Sequence, residues 1–384
     1  MPLGTRPRRS LRVAIACPGV GLVQRGYERY FLDIFNSVKE DIDITLYKGG
    51  GERTETEKVL TFVPRNGSLV KIFPVHKLFN RTHYHSECGS FALALLFQLM
   101  KEDYDIVHCI DPPLTRLLFR LRSLFRMKFK ILHTHGCDMD PNDFPGADHT
   151  QHVSQARYIE AAECGLPEEH MSLVPVGFHP ERFEVNATRD ELRRSYGVNQ
   201  DTFVILCIAA IDRRQKRLDY LIEEVSRLDG DYLLWLDGSL DHGDPDLIDL
   251  AKDTLGDKCR VTRVDSDKVG ELHRLADVMV LCSLDESFAL AIVEGAGNGT
   301  PVLTHNSPHF RWLLPKPESL LDMSREGALT ERLATLMSRR EELDKLKCSE
   351  EIRARYDWKN LKKDYVDLYY HVAGLPGPQT RTTG

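Results

Sequence analysis

The chain has 384 residues, of which 42% are hydrophobic and 28% are charged, and its formal net charge at pH 7 is −7. This length exceeds what one ordinary hydrophobic core covers and predicts two domains of roughly 150–200 residues each. The acidic balance argues against a dedicated nucleic-acid-binding protein, and no stretch approaches the ~20 apolar residues that a membrane-spanning helix needs.

The nine cysteines are scattered along the chain and never form a C-x-x-C pair. Four of them, Cys17, Cys109, Cys207 and Cys282, lie inside apolar runs that are typical of buried strands. This pattern predicts reduced thiols in a cytosolic protein and argues against a disulfide framework or a zinc site. The basic segment Met1–Arg12 lacks the apolar core of a signal peptide, so we expect a cytoplasmic protein.

The first half of the chain alternates short apolar, β-branched runs with segments of helical periodicity. Strands are predicted at Arg12–Cys17, Ile42–Tyr47, Ile106–Ile110, Lys130–His133 and Ser172–Pro175. Helices are predicted between them at Tyr27–Lys39, Ser90–Glu102 and Gln155–Cys164. This alternation is typical of βαβ units and of a parallel sheet.

The second half repeats the alternation after a polar segment with few apolar residues, about Asp190–Asp201. Its strands are predicted at Phe203–Ala209, Tyr232–Asp237, Arg260–Val264, Val278–Cys282 and Pro301–Thr304. We therefore predict an α/β chain of two doubly wound, Rossmann-like domains, at residues 1–178 and 179–357. A last helix at 358–372 is expected to pack back on the first domain, and 373–384 to form a disordered tail. Doubly wound folds bind ligands outside the carboxyl ends of their strands, so the expected active site is the cleft between the domains.

The strongest chemical signal is E-S-F-A-L-A-I-V-E, which begins at Glu286 just after a predicted strand and ends at Glu294. A helix starting here would aim the N–H groups of Ser287, Phe288 and Ala289 at diphosphate oxygens. Glu294 would then accept hydrogen bonds from ribose hydroxyls, and Glu286 would reach the sugar. The competing interpretation makes Glu286 a favourable first-turn charge and Glu294 a solvated surface residue.

A second signal is the basic loop in I-A-A-I-D-R-R-Q-K-R-L-D-Y-L-I, which follows another predicted strand. The loop carries four cations, Arg213, Arg214, Lys216 and Arg217. Cations in this position can clamp a diphosphate and neutralise the charge that grows as a sugar leaves. A solvated basic loop is the competing interpretation.

Taken together, the motifs resemble those of the retaining GT-B glycosyltransferases of the glycogen-synthase-like group (glycosyltransferase family 4-like). Glu286 and Glu294 match the E-x7-E signature of that family, and Lys216 matches its strand–loop–Lys motif. The run L-A-D-V-M-V-L-C-S-L-D-E resembles the strand that leads into the signature. G-Y-E-R, from Gly26 to Arg29, resembles the Gly-rich first loop, and T-H-G around His135 resembles the N-domain histidine site. The resemblance extends over nearly the whole chain.

The resemblance implies a GT-B fold with an interdomain cleft and a role for each matching residue. Lys216, with Arg213 or Arg214, would hold the pyrophosphate, while Gly26 would lie in the loop that approaches the diphosphate and the acceptor. Glu294 would bind the ribose and Glu286 the donor sugar. His135 would contact the sugar from the other domain as a catalytic group, although a histidine that merely ends a strand in solvent is the alternative.

The chain departs from the family pattern at several positions. Ser287 and Ala289 stand where the family usually has glycine, and Ile211 stands where a phosphate-binding arginine is expected. The interdomain turn, P-V-G-F-H-P at 175–180, lacks the usual Asn and Asp. The segment between His135 and Ser154 is short, which predicts a remodelled acceptor side.

Other polar clusters are interpreted as incidental. D-x-D matches occur at Asp138–Asp140, Asp244–Asp246 and Asp265–Asp267, among other places, but a chain with 58 acidic residues is expected to contain such matches by chance. His83 and His85 could chelate a metal but are interpreted as incidental. We therefore predict no metal site.

The segment Leu114–Lys130 has six cations and no acid, interleaved with Leu, Phe and Met. It predicts an amphipathic helix that either lies on an anionic membrane surface or packs on the sheet and solvates its cations.

The sequence thus predicts a metal-independent, cofactor-free retaining hexosyltransferase. Its partners would be a UDP- or GDP-sugar as donor and a glycan or lipid-linked acceptor, without nucleic acid, in glycan, glycolipid or cell-envelope polysaccharide synthesis. The enzyme would be cytoplasmic, with a possible peripheral position on the inner face of the cell membrane. A GT-B sugar-nucleotide epimerase and a catalytically silent nucleotide-sugar-binding protein remain as alternatives. A Rossmann dehydrogenase is disfavoured because no G-x-G-x-x-G follows a strand.

Overall fold

The structure is a computed structural model that describes residues 10–23, 26–64, 82–136, 144–239 and 243–377. The chain divides into two compact units. The first unit combines Met1–Gly177 with the returning segment Trp358–Gly384, and the second unit is Phe178–Asp357.

The first unit is a seven-stranded parallel sheet in the order β3-β2-β1-β4-β5-β6-β7. Its strands are β1 (Arg12–Cys17), β2 (Asp43–Lys48), β3 (Glu57–Val59), β4 (Ile106–Cys109), β5 (Lys130–His135), β6 (His149–His152) and β7 (Met171–Leu173). The helices between them are α1 (Gly26–Val38), α2 (His83–Leu99), α3 (Pro112–Leu124) and α4 (Gln155–Glu163). The five strands predicted in this half correspond to β1, β2, β4, β5 and β7, whereas β3 and β6 were not predicted.

The second unit is a six-stranded parallel sheet in the order β10-β9-β8-β11-β12-β13. Its strands are β8 (Phe203–Ile208), β9 (Tyr232–Asp237), β10 (Cys259–Thr262), β11 (Val278–Leu281), β12 (Val302–His305) and β13 (Leu320–Leu321). Its helices are α5 (Arg189–Ser195), α6 (Leu218–Ser226), α7 (Asp246–Leu255), α8 (Val269–Leu275), α9 (Leu290–Gly297), α10 (Pro308–Leu313), α11 (Ala328–Ser338) and α12 (Ser349–Tyr356). The predicted architecture of two doubly wound Rossmann-like units is confirmed.

The last helix, α13 (Trp358–Ala373), is held to the first unit by buried polar groups. Gln151 on β6 donates from Nε2 to the hydroxyl of Tyr365 at 3.0 Å, and that hydroxyl donates to the carbonyl of Pro175 at 2.8 Å. The hydroxyl of Tyr369 lies 2.8 Å from Nδ1 of His108 on β4. These bonds satisfy groups that would be costly to bury alone, and they explain how a strand as polar as β6 lies in the core.

The polar segment Asp190–Asp201 contains most of helix α5 and a buried arginine. Helix α5 begins there with a capping box at Thr188, and the side chain of Arg193 is fully buried. Its guanidinium donates to Asp277 at 2.7 Å and to several backbone carbonyls. The segment therefore anchors itself to the sheet through a paired charge as well as through Leu192 and Val198, which pack in an apolar cluster with β8 and β9.

The predicted helix over Leu114–Lys130 is also corrected, because α3 ends at Leu124 and Lys130 opens β5. Arg126 between them has a positive φ of 54°. The side chain of Phe129 is buried, and Phe119 packs against the same core. Within the described ranges, no helix is both long enough and apolar enough to cross a membrane.

Candidate functional site

The sheet order of the second unit brings two loops together at its centre. From β8 the sheet continues to β9 and β10 on one side, and β11 lies on the other side. The loops that follow β8 and β11 therefore leave the carboxyl edge at the point where the strand order reverses. Doubly wound sheets bind ligands at such a point.

The loop after β8 is held in place by the loop after β9. Ile211 donates its N–H to the carbonyl of Ser239 at 3.0 Å, and its own carbonyl accepts from the N–H of Asp244 at 2.8 Å. A Cβ atom at Gly238 would lie 1.7 Å from the carbonyl oxygen of Ala209, so only glycine permits this close approach. The basic loop thus has a fixed backbone.

Lys216 is the cation that this loop directs into the site. Asp212 accepts the N–H groups of Gln215 at 2.5 Å and Lys216 at 3.1 Å, which closes a tight turn. The Lys216 ammonium then forms an ion pair with the Glu286 carboxylate from the loop after β11. Side-chain exposure is 19% for Lys216 and 7% for Glu286, so this pair is largely withdrawn from solvent.

The three arginines of the basic loop do not join Lys216 in one clamp. Arg213 donates to the carboxylate of Asp246 at 2.7 Å on the exposed side of the loop. Arg217 donates to the carbonyls of Cys282 at 3.2 Å and Met323 at 2.9 Å, which braces the backbone. Arg214 is exposed, and within the described ranges its side chain makes no hydrogen bond or ion pair.

Glu286 and Glu294 both lie in the second unit but in different settings. Helix α9 starts at Leu290, so Glu286 belongs to the preceding loop and not to the first turn of the helix. Glu294 lies in the second turn and is buried, as is Glu286. The structure therefore does not support the competing interpretation, in which Glu286 is a first-turn charge and Glu294 a solvated surface residue.

The departure from glycine at Ala289 has a visible backbone consequence. Ala289 adopts φ 66° and ψ 53°, a left-handed conformation that glycine reaches without strain. The chain accepts this conformation just where the loop turns into α9.

Replacing Ala289 with glycine is expected to raise the free energy of unfolding by about 0.5–1 kcal/mol, because relief of the left-handed strain exceeds the entropic cost of glycine. Urea unfolding of the variant measures the change. Ala291→Gly, inside α9, is the matched control and should lower stability by about 1 kcal/mol. Equal destabilisation by both substitutions would show that Ala289 is not strained.

The ring of Phe288 packs away from the loop backbone. Its centroid lies 5.6 Å from the ring of Tyr356 and 6.4 Å from that of Trp312, both edge-on. Its carbonyl oxygen lies 3.3 Å from Nε2 of His309. The predicted donor contact at Phe288 is thereby limited to the backbone, and its side chain instead fixes the loop.

His135, at the end of β5, is fully buried, which corrects the alternative of a solvent-exposed strand end. Its Nδ1 lies 3.0 Å from Nδ1 of His152, so one ring donates and the other accepts. Phe144 packs edge-on against the His135 ring at 4.7 Å. Burial and the neighbouring histidines lower the pKa of His152 to about 3, so its ring is neutral.

Gly26, the glycine predicted to matter in the first unit, has no steric need to be glycine, whereas Gly21 does. Gly26 begins α1 and is exposed, and a Cβ there would meet no atom within 4 Å. Gly21 has φ 81°, and a Cβ there would lie 2.2 Å from the carbonyl oxygen of Gly50. The P-G-V-G and K-G-G-G runs after β1 and β2 were the signal for this contact.

Two buried carboxylates at the same edge were also missed. Glu28 on α1 and Asp111 after β4 are almost completely buried, and Tyr84 donates its hydroxyl to Asp111 at 2.7 Å. Burial, together with these two carboxylates, raises the pKa of the Cys17 thiol. An aspartate directly after an apolar strand was the available signal for Asp111.

The described residues contain no group of three His, Cys, Asp or Glu side chains that could hold a metal ion. Asp244 and Asp246 of one D-x-D match instead accept hydrogen bonds from Arg213. The match at 138–140 lies outside the described residues.

Comparisons with known proteins agree with this architecture. Residues 188–353, inside the second unit, match the family model described as Glycosyl transferases group 1. An uncharacterized glycosyltransferase of Methanocaldococcus jannaschii, MJ1607, is 23% identical over 306 residues, which cover 70% of this chain and 75% of that protein.

Solved structures resemble the chain over nearly its whole length. Sucrose-phosphate synthase from Thermosynechococcus elongatus has a TM-score of 0.78 at 16% identity and covers 95% of this chain and 99% of that one. Anabaena HepE in complex with UDP and glucose has a TM-score of 0.74 at 14% identity, with 93% and 99% covered. The fold is therefore that of GT-B glycosyltransferases. The family match in the second unit supports a glycosyltransferase.

Proposed function

We propose that the protein is a retaining glycosyltransferase that moves a hexose from a nucleotide-diphospho-sugar to an acceptor hydroxyl without a metal ion. The observation that carries the proposal is the Lys216–Glu286 pair at the carboxyl edge between β8 and β11, with Glu294 buried on the helix that follows. A cation, a sugar-binding carboxylate and a ribose-binding carboxylate are the groups that a nucleotide sugar requires.

In this proposal Lys216 binds the diphosphate and partly leaves Glu286 when the donor arrives. A phosphate oxygen competes for the ammonium, and the released Glu286 carboxylate accepts hydrogen bonds from the sugar hydroxyls. Arg214 supplies a second cation from the same loop, since Arg213 is engaged by Asp246. Backbone N–H groups of 287–289 complete the diphosphate site at the start of α9.

The transfer step breaks the bond between the anomeric carbon and the diphosphate oxygen, which takes the electron pair. The acceptor oxygen forms the new bond on the same face of the sugar and gives its proton to the departing diphosphate oxygen. Lys216 stabilises the negative charge that grows on the diphosphate, which is the work a metal ion does in other enzymes. Retention rests on the resemblance of the motifs, and the proposed donor is consistent with the UDP-bound structure of Anabaena HepE.

A panel of UDP- and GDP-sugars tests the proposal. We expect one donor to raise the melting temperature and to be consumed when an acceptor is supplied, with the rate unchanged in EDTA. Glu294→Ala should weaken nucleotide binding about tenfold or more in calorimetry while the variant remains folded, because the ribose loses a buried acceptor. Glu318→Ala, at an exposed carboxylate of the same unit, is the matched control.

Four results would contradict the proposal. Activity abolished by EDTA and restored by Mn²⁺ would overturn the metal-independent mechanism. Unchanged nucleotide affinity in folded Glu294→Ala would overturn the assigned site. Conversion of the donor to its epimer without transfer would identify an epimerase, and donor binding without any conversion would identify a silent binding protein.

A further inference from the structure

Helix α2 presents an uncharged apolar stripe on its outer face. Leu93, Phe97 and Met100 follow one another at helical spacing and are 52%, 64% and 57% exposed. Between His83 and Met100 the only charged residue is Glu87, which is buried. Exposed large apolar side chains grouped in this way mark an interaction surface rather than ordinary solvent contact.

Helix α3 packs beside α2 and adds cations to the same region. Each helix leads into the next strand of one parallel sheet, so both run in the same direction and end at the same edge. At that edge α3 exposes Leu124 by 72% and Phe125 by 48%. The exposed cations of α3 and of the segment that follows it, up to Phe129, are Arg120, Arg126 and Lys128.

We infer that these residues form a docking surface for an anionic lipid bilayer, here named the α2–α3 surface. It consists of Leu93, Phe97, Met100, Arg120, Leu124, Phe125, Arg126 and Lys128. The apolar side chains of α2 and of the end of α3 enter the interfacial region, while the cations bind lipid phosphates. The sequence alone assigned both the apolar insertion and the binding of lipid phosphates to residues 114–130. In the structure Phe119 and Phe129 pack into the core, and Arg122 is paired with Asp148.

A bilayer suits the α2–α3 surface better than a second copy of the chain. A two-fold dimer places the same patch on both partners, so cations would face cations. Residues 112–130 contain no acid that could neutralise them. Of the acids that follow the stripe, Glu102 is already bonded to Arg12. Lipid headgroups supply the missing negative charge over an extended plane.

Cosedimentation of the full chain with vesicles, without any sugar nucleotide, tests this inference separately from the transfer activity. Binding is expected with vesicles of phosphatidylglycerol and phosphatidylcholine at low salt, but not with phosphatidylcholine alone. The variant Leu93→Ser/Phe97→Ser should lower the partition coefficient at least tenfold. Arg120→Gln and Lys128→Gln should each lower it about fivefold, the change that corresponds to about 1 kcal/mol per cation.

Two matched controls separate this surface from general effects. Ile159→Ser removes a side chain that is 49% exposed elsewhere on the first unit, and Lys252→Gln removes an exposed cation from α7 of the second unit. Neither should change the partition coefficient. Failure to bind anionic vesicles at low salt, or equal loss in the controls, would overturn the inference. Concentration-dependent dimerisation that Leu93→Ser/Phe97→Ser abolishes would assign the surface to a second copy instead.

Discussion

Replacing Lys216 with methionine is expected to lower kcat/KM for sugar transfer by about 10²- to 10³-fold, the loss seen when one group that stabilises a leaving charge is removed. The ammonium of Lys216 is the cation that the loop turn at Asp212 aims at Glu286. Methionine keeps the length of the side chain and its apolar stem but cannot bind a phosphate oxygen. Steady-state kinetics with the donor identified by the panel measures the effect.

The Lys216→Met substitution is also expected to affect stability, because the Glu286 carboxylate is buried. Lys216→Met leaves that carboxylate without its cation, which costs stability. The double variant Lys216→Met/Glu286→Gln removes the uncompensated charge, so its melting temperature should recover while its activity stays low. Lys252→Met, at an exposed lysine of the same unit, should leave both unchanged. If the double variant regained activity, Lys216 would act only through the ion pair and not on the donor.

Acidification from pH 6.5 to 5.5 is expected to destabilise the first unit by about 4 kcal/mol and the second by about 1 kcal/mol. Burial lowers the pKa of His108 and His152 to about 3 and that of His149 to about 4, and it lowers the pKa of His133 as well. In the second unit burial lowers the pKa of His273 to about 4.

Stability falls as the pH falls because the unfolded chain binds more protons than the folded chain. A histidine whose folded-state pKa lies below the unfolded value of about 6.5 binds more protons in the unfolded chain, so unfolding becomes easier as the pH falls. Each such histidine contributes about 1 kcal/mol over this pH interval, and the contribution stops growing below the folded-state pKa. The four histidines in the first unit make it the more acid-sensitive one.

Differential scanning calorimetry at pH 7.5, 6.5 and 5.5 resolves the expected difference between the units. His273→Leu should flatten the pH dependence of the second unit by about 1 kcal/mol, whereas His170→Leu, at an exposed position, should change neither unit. Parallel pH dependence of both units would show that these histidines do not titrate on unfolding as described.

The sequence by itself determined most strands of both sheets and the candidate site residues of the second unit. Apolar, β-branched runs of four to six residues lie buried on both faces of a parallel sheet, so their position in the sequence suffices to find β1, β8 or β11. The spacing of Glu286 and Glu294 after such a strand, and of Lys216 after another, indicated the proposed donor site because loops after parallel strands meet at one edge.

Only the tertiary structure decided which charged groups pair with one another. Lys216 and Glu286 are 70 residues apart, and their contact depends on the order of strands in the sheet. Arg213 lies only three residues from Lys216 in the sequence. Its guanidinium nevertheless donates to the carboxylate of Asp246 on the exposed side of the loop.

The sequence likewise does not reveal which polar residues lie in the core. The strand β6 and the buried Arg193 have no apolar pattern, and they are stable inside because Gln151 and Arg193 find hydrogen-bond partners on distant segments. The periodicity of apolar residues shows which side of a helix or strand faces the core, because that side is set by the spacing of residues along the element itself. It carries no information on the partner of a polar group, because that partner is supplied by another part of the fold.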